Sequence, residues 1–289
     1  MLNNAAIAKG VGRRSILRGA AGIASATLAS GCVSASTSSP RDFVLIHGAW
    51  HGGWCWEQVR QLLESAGHRV HTPTLPGLAE RAGEMSPDIG LAEHITDAIG
   101  FVEASGLRNI VLVGHSYGGM VITGMADAMK DRIAHIVYLD AALPKNGESM
   151  ISYGAPRSQA AIDGAAKTIK GLAPDGIAMA AFPASLLGIS EDHPLHNWTN
   201  ERLTPHPLKT WLDPIVLTNG GSDGLPRTYV HCTSPALPQT QFPYIAALAA
   251  NDPSWQSIEL ATGHDAMITA PQDCAALFEQ AALASIQGS

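Results

Sequence analysis

The chain reads as an α/β protein: a mostly parallel sheet of about six strands, helices on both faces and an inserted helical cap. Three observations predict this. Short apolar runs rich in β-branched residues alternate with stretches of helical periodicity, the pattern of strands joined by helical crossovers. One such run, Asn109 to Val113, passes through Gly114-His115-Ser116-Tyr117-Gly118 into a helical pattern carrying Met120, Val121, Gly124, Met125 and Met129. The alternation then dissolves between Leu143 and Leu225, a stretch too long for a loop in a compact fold.

Taken in order, Asp42 to His47 is a strand, followed by the glycine-rich loop Gly48-Ala49-Trp50-His51-Gly52-Gly53-Trp54. A helix over Glu57 to Ala66 places Val59, Leu62 and Leu63 on one face, and Gly67-His68 turns into a strand over Arg69 to Thr72. Pro73 to Ser86 reads as loop. Leu91 to Ala104 is a helix with Ile95, Ala98, Ile99 and Val102 toward the core. After the Gly-x-Ser-x-Gly turn, Ile133 to Leu139 is an apolar strand ending at Asp140. The insertion holds helical pieces over Ser158 to Lys170 and Ala178 to Leu187. The sheet resumes at Arg227 to Cys232, then a helix from Phe242 to Ala249, a last strand over Ser254 to Leu260 and a closing helix over Pro271 to Ile286. The expected division is residues 1–38 as export signal and tether, 39–142 as first core part, 143–225 as cap and 226–289 as second core part.

Bulk properties narrow the function. At 289 residues the chain can bury a large core. A net charge of -7 argues against a nucleic-acid footprint. No stretch reaches the length of an uncharged transmembrane helix. Arg13-Arg14, the small apolar run Gly19 to Gly31 and Cys32 have the order of a secretory signal. The arginine pair resembles the twin-arginine export signal of bacteria. Ala29-Ser30-Gly31-Cys32 resembles a lipoprotein processing box, which makes Cys32 a candidate lipid anchor and a periplasmic or membrane-anchored location the expectation. Cys55, Cys232 and Cys274 have no Cys-x-x-Cys spacing, so neither a disulfide framework nor a zinc site is expected.

The chemistry follows from residue types and fold rules. The Gly-x-Ser-x-Gly turn is a nucleophile elbow: a strained serine between strand and helix, with flanking glycines relieving the crowding. A serine hydroxyl needs a base, and the base needs a carboxylate to hold its tautomer. In an open α/β sheet the reactive groups gather beyond the carboxyl ends of the strands. Among twelve histidines, His264 satisfies this, just past the last strand and after Ser116 in the chain. His115 is expected to point the other way, and His47 to support the loop after the first strand. His193 and His196 have an i, i+3 spacing that suggests a metal only weakly, because Pro194 separates them. The acid is expected at Asp140, at the carboxyl end of its strand, with Asp213, Asp223 and Asp252 as alternatives. Asp265 adjoins His264 and is badly placed to reach its ring. Trp50 in the glycine-rich loop and Phe182, Leu186, Trp198 and Trp211 in the insertion are candidates to line an apolar substrate pocket, or to pack the cap onto the core.

Phe43 to Trp56, Gly67 to Val70, Val113 to Gly119, Tyr138 to Ala141 and Thr262 to Met267 together resemble the α/β-hydrolases. The resemblance runs from Arg41 to Glu279, strong at both ends and weak through the cap. It is to the esterase and hydroxynitrile lyase branch, especially its bacterial carboxylesterases, some of which cleave pyrethroid-type esters. It implies the α/β-hydrolase fold, Ser116 as nucleophile, His264 as base, and the amides of Ala49 and Tyr117 as oxyanion donors. Plant members of the branch carry the acid after the later strand, where this chain has Thr233-Ser234-Pro235. The plant lyases have Lys after the histidine and Thr in the loop; here those places hold Asp265 and Gly48, which counts against cyanohydrin cleavage. The expectation is a serine carboxylesterase acting on a small or medium-sized apolar ester, with no metal or organic cofactor. A hydroxynitrile-lyase-type activity and a non-enzymatic small-molecule binding protein are the alternatives.

Overall fold

The computed structural model describes residues 39–237 and 240–287. The expected export signal and the candidate anchor Cys32 lie outside the described residues. Six parallel strands form one sheet: β1 (Asp42–Ile46), β2 (Arg69–His71), β3 (Ile110–His115), β4 (Ile133–Leu139), β7 (Arg227–Cys232) and β8 (Trp255–Leu260), in the spatial order β2-β1-β3-β4-β7-β8. Between β4 and β7 a short antiparallel pair, β5 (Ala178–Met179) and β6 (His206–Pro207), lies in the insertion.

The helices are α1 (Glu57–Ser65), α2 (Leu91–Ala104), α3 (Gly118–Met129), α4 (Gln159–Gly171), α5 (His196–Asn200), α6 (Lys209–Leu212), α7 (Phe242–Ala250), α8 (Ala266–Thr269) and α9 (Pro271–Gln287). A sheet covered on both faces buries every side chain of a central strand, and β1 shows it: all five residues are buried. The twofold alternation then sorts them. Val44 and Ile46 join Leu112, Tyr138, Met120 and Val102 on the face covered by α2, α3 and α7. Phe43 and Leu45 join Val111, Val113, Val59, Leu63 and Phe278 on the face covered by α1 and α9.

Cys55, Cys232 and Cys274 are buried free thiols. Two expectations need correction. The helical reading of Ala178 to Leu187 rested on alanine content; instead Met179 pairs with His206, and only Ala184–Leu187 closes a 3-10 turn, after Pro183 has ended any helix. The expected loop over Pro73 to Ser86 contains a 3-10 segment, Ala79–Glu84, secured by Arg81 to Asp97 and Glu84. Among the described residues no helix is long and apolar enough to cross a membrane.

Candidate active site

Three non-glycine residues with left-handed backbone sit at the carboxyl ends of three neighbouring strands: Trp50 (φ 66°) beyond β1, Ser116 (φ 53°) beyond β3 and Asp140 (φ 41°) beyond β4. Such conformations cost energy and cluster where function demands them. The elbow forms because its glycine leaves no room for anything larger. A Cβ on Gly118 would lie 2.8 Å from the carbonyl oxygens of both Ile46 and His47. The turn is tied into the sheet by the Ser116 amide donating to Leu139 O (3.2 Å) and the Ala142 amide donating to Ser116 O (3.0 Å). Ser116 itself is partly exposed into a cavity of about 320 Å³ that His264 also lines.

The His264 Nδ1–H donates to Asp140 Oδ2 at 2.6 Å. That bond fixes the tautomer and leaves the Nε2 lone pair as the basic position. Asp140 Oδ1 accepts from His231 Nδ1–H (3.0 Å) and from the Cys232 amide (3.2 Å). Burial alone would push the Asp140 carboxyl up, but the hydrogen bonds from His231 and His264 outweigh it and hold the group below its ordinary value. Asp213 and Asp223 are bound instead to Lys209 and Arg227, and Asp252 caps Ser254 on the surface. His231 was not singled out by sequence reasoning; its position at the end of β7, one place beyond a buried valine, is the only signal that marks it.

The loop after β1 is held by three histidines whose tautomers follow from their partners. His47 donates from Nδ1 to Gly48 O (2.8 Å) and accepts the Leu75 amide at Nε2 (3.1 Å), so it is neutral. Because it grips the carbonyl of the Gly48–Ala49 peptide, the Ala49 amide of the same unit points the opposite way. The next peptide is clamped at both ends: His51 Nδ1–H donates to Ala49 O (2.7 Å), and the Trp50 amide donates to His206 Nδ1 (3.3 Å). His206 in turn donates from Nε2 to Thr210 (2.8 Å), so the segment between β4 and β7 helps shape the loop. Full burial lowers the His47 pKa to about 3. A Cβ on Gly48 would come within 2.8 Å of His115 Nδ1 and 2.9 Å of the Ser116 Cβ, so loop and elbow are in contact. The Tyr117 side chain is buried beneath, its hydroxyl donating to His94 Nδ1 (3.0 Å).

His115 requires correction. Its ring does not turn away from the site: it lies 4.5 Å from the His264 ring, lines the cavity and donates from Nε2 to His264 O (3.0 Å). The positive φ of the following serine turns the chain so sharply that both side chains face the same region. Burial lowers the His115 pKa to about 3. Asp265, as expected, does not serve its neighbour's ring; it is fully buried and accepts from His51 Nε2 at 3.1 Å. His115, His264 and Asp265 bring ligand atoms within 4.8 Å of one another; one nitrogen of each imidazole donates, to His264 O and to Asp140 respectively. Both ring nitrogens of His196 are occupied, by Ile189 O and the Asn200 amide.

The cavity is walled by Trp50, Phe182, Leu186 and Trp211, with Met150, Tyr153, Leu237 and Phe242 completing an apolar lining. Trp50 packs tilted against Phe182 at 4.6 Å and Trp211 at 5.7 Å between ring centres, and Phe242 lies nearly parallel to the His264 ring at 5.2 Å. Trp198 is corrected: it is not part of this wall. It packs edge-on against Trp54 at 5.2 Å, beneath the Arg202 guanidinium, because α5 turns that face toward the outer end of the loop.

Residues 43–277 match a family model described as "Alpha/beta hydrolase family". The chain belongs to it. A carbendazim hydrolyzing esterase of Nocardioides sp. is 38% identical over 239 residues, covering 81% of this chain and 96% of that protein. A pyrethroid hydrolase of Sphingobium wenxiniae is 36% identical over 118 residues, 40% of this chain and 42% of that one. Among solved structures, an extracellular α/β-hydrolase of a Paenibacillus species superposes with a TM-score of 0.70 at 24% identity, covering 84% of this chain and 99% of that one. A pyrethroid hydrolase of Sphingobium faniae does so at 0.67 and 22%, covering 86% and 100%. These structural likenesses speak for the fold alone.

Proposed function

We propose that this chain, a carboxylic ester hydrolase, works as a serine esterase through an acyl-enzyme. The observation that carries the reading is Ser116, strained at its elbow, opening into the cavity lined by a His264 whose Nδ1–H is taken by buried Asp140. His264 Nε2 removes the Ser116 proton as the oxygen attacks the ester carbonyl. The amides of Ala49 and Tyr117 receive the oxyanion; a donor in this role contributes roughly 3 kcal/mol to barrier lowering. Asp140 stabilises the imidazolium, His264 then protonates the leaving alcohol, and the same histidine activates water to release the acid.

The aromatic wall and its volume favour a small or medium-sized, fairly apolar ester. The names of two relatives, a carbendazim hydrolyzing esterase and a pyrethroid hydrolase, support the same class. Location outside the cytoplasm, by twin-arginine export with or without a lipid on Cys32, is part of this proposal and rests on the sequence alone. A fluorophosphonate probe tests the reading: it should label the wild-type enzyme once and leave Ser116→Ala unmodified. Equal labelling of both proteins would overturn it. A screen of p-nitrophenyl esters by chain length, with bulky aryl esters and one cyanohydrin, then separates esterase from lyase.

A further inference from the structure

Behind the nucleophile and its base lies a second pairing of histidine and carboxylate that the mechanism above leaves unused. His51 and Asp265 are 1% and 0% exposed, 214 residues apart in sequence, and both line the reaction cavity. His51 has two acceptors and no donor among its partners. Its Nδ1 faces the carbonyl oxygen of Ala49 at 2.7 Å, and its Nε2 faces Asp265 Oδ2 at 3.1 Å. An imidazole that donates from both nitrogens to a carbonyl and a carboxylate carries a proton on each, and is positively charged.

We infer that His51 and Asp265 form an imidazolium–carboxylate couple that positions the oxyanion loop and places a positive charge beside it. The inference rests on the serine-esterase reading for its catalytic meaning. Its geometric content is independent. The Ala49 carbonyl belongs to the peptide that follows the proposed donor amide, and Trp50, next in line, is held at φ 66°. Such a backbone persists only when its surroundings over-determine it. His51 supplies one anchor of that peptide and His206 the other. His206 is neutral by its own partners, so the charge resides on His51 alone. The other titratable groups packed around the couple are His115, whose Nε2 is 3.7 Å from Asp265 Oδ1, together with His264 and the Cys55 thiol. His47 and His206 feel the His51 charge from the loop and the cap.

Asp265 is the partner that makes a buried charge tolerable here. Burial opposes protonation of His51, but the Asp265 carboxylate outweighs it and raises the group above its ordinary value. Burial likewise opposes ionisation of Asp265, and the charge and hydrogen bond of His51 reverse that. His51 and Asp265 are therefore positioning residues: they act through Ala49 rather than on the substrate. Without the carboxylate, burial drives His51 to give up a proton and with it one of its two donors, so the loop should relax rather than keep its shape.

The test is nitrogen-15 NMR of the histidine rings in wild-type enzyme at about pH 8, where an ordinary imidazole is neutral. Two ring N–H protons on His51 are expected, one of them lost in Asp265→Asn. The same variant, titrated with fluorophosphonate to count working sites, should lose about tenfold or more in kcat per site with KM changed less than about threefold. Its affinity for a trifluoromethyl ketone, which binds as an oxyanion, should fall in parallel. A single ring proton on His51 in the wild type overturns the inference, as does Asp265→Asn with unchanged kcat and ketone affinity. Should Asp265→Asn fail to fold, the wild-type spectrum alone decides. Failure of the wild type to react with fluorophosphonate would strike the esterase reading and leave the protonation of His51 to be judged by its spectrum.

Discussion

Asp140 sits between two imidazoles, its Oδ2 accepting from His264 Nδ1–H at 2.6 Å and its Oδ1 from His231 Nδ1–H at 3.0 Å. The carboxylate therefore cannot rotate without breaking one of the two bonds. Asp140→Asn keeps the shape but presents an amide where His264 needs an acceptor, so kcat should fall by roughly 10³-fold or more. The melting temperature should fall as well, because the ionised carboxylate stabilises the fold, while the protein still folds. His231→Ala leaves Oδ1 its bond from the Cys232 amide and should cost only about tenfold, a smaller loss because the reacting imidazole keeps its partner. Steady-state kinetics on one p-nitrophenyl ester compares the two.

Acid sensitivity follows from buried neutral histidines. Burial lowers His47 and His115 to about 3, and His94 and His135 to about 4. Each is depressed below its unfolded value of about 6.5, so the unfolded chain binds more protons as pH falls below that point. Stability should therefore drop as pH falls from about 6.5 toward 4. Asp140 and Asp265, held low, lose their contribution at still lower pH. His51 has the opposite sign: raised in the fold, it stabilises below its unfolded pKa and loses that contribution as pH rises through its folded one. Urea midpoints measured from pH 8 down to 4 should fall steeply below 6.5; a flat profile would contradict the assignment.

Where the candidate residues stand relative to the strands is legible in the sequence. The elbow, His264 and Asp140 stand next to strand ends, and strand ends announce themselves by apolar runs and glycine turns. His51 and Asp265 carry no such mark. Each lies in a loop, and they meet only because the turn after β8, an edge strand, runs back over the strand ends to the loop beyond β1. His115 was misjudged because alternation along a strand says nothing once the next residue leaves extended backbone. The cap was least legible. Its alanine-rich segments suit a helix locally, while Pro183 and the pairing of Met179 with His206 settle the matter through contacts distant in sequence.

The contact between loop and elbow predicts a sharp response to a single methyl group. In Gly48→Ala the new Cβ would meet His115 Nδ1 at 2.8 Å and the Ser116 Cβ at 2.9 Å. The proposed oxyanion donor and the nucleophile must then separate by several tenths of an ångström. We expect kcat to fall about 100-fold with a much smaller change in KM.

Selectivity should follow the wall of the cavity. Phe182→Ala removes the ring packed against Trp50 and should raise KM for bulky aryl esters by about tenfold, leaving short acetyl esters nearly unchanged. Trp198→Ala, outside the wall, should leave both within about twofold. A matching loss from Trp198→Ala would place that ring in the substrate's path after all.

The central claim is that Ser116 becomes covalently acylated, and rapid-quench mass spectrometry of the enzyme mixed with a p-nitrophenyl ester reads it directly. The account predicts a transient mass increase equal to the acyl group, located on the peptide carrying Ser116 and absent from Ser116→Ala. Product release with no adduct at any time, or undiminished turnover by Ser116→Ala, would contradict it.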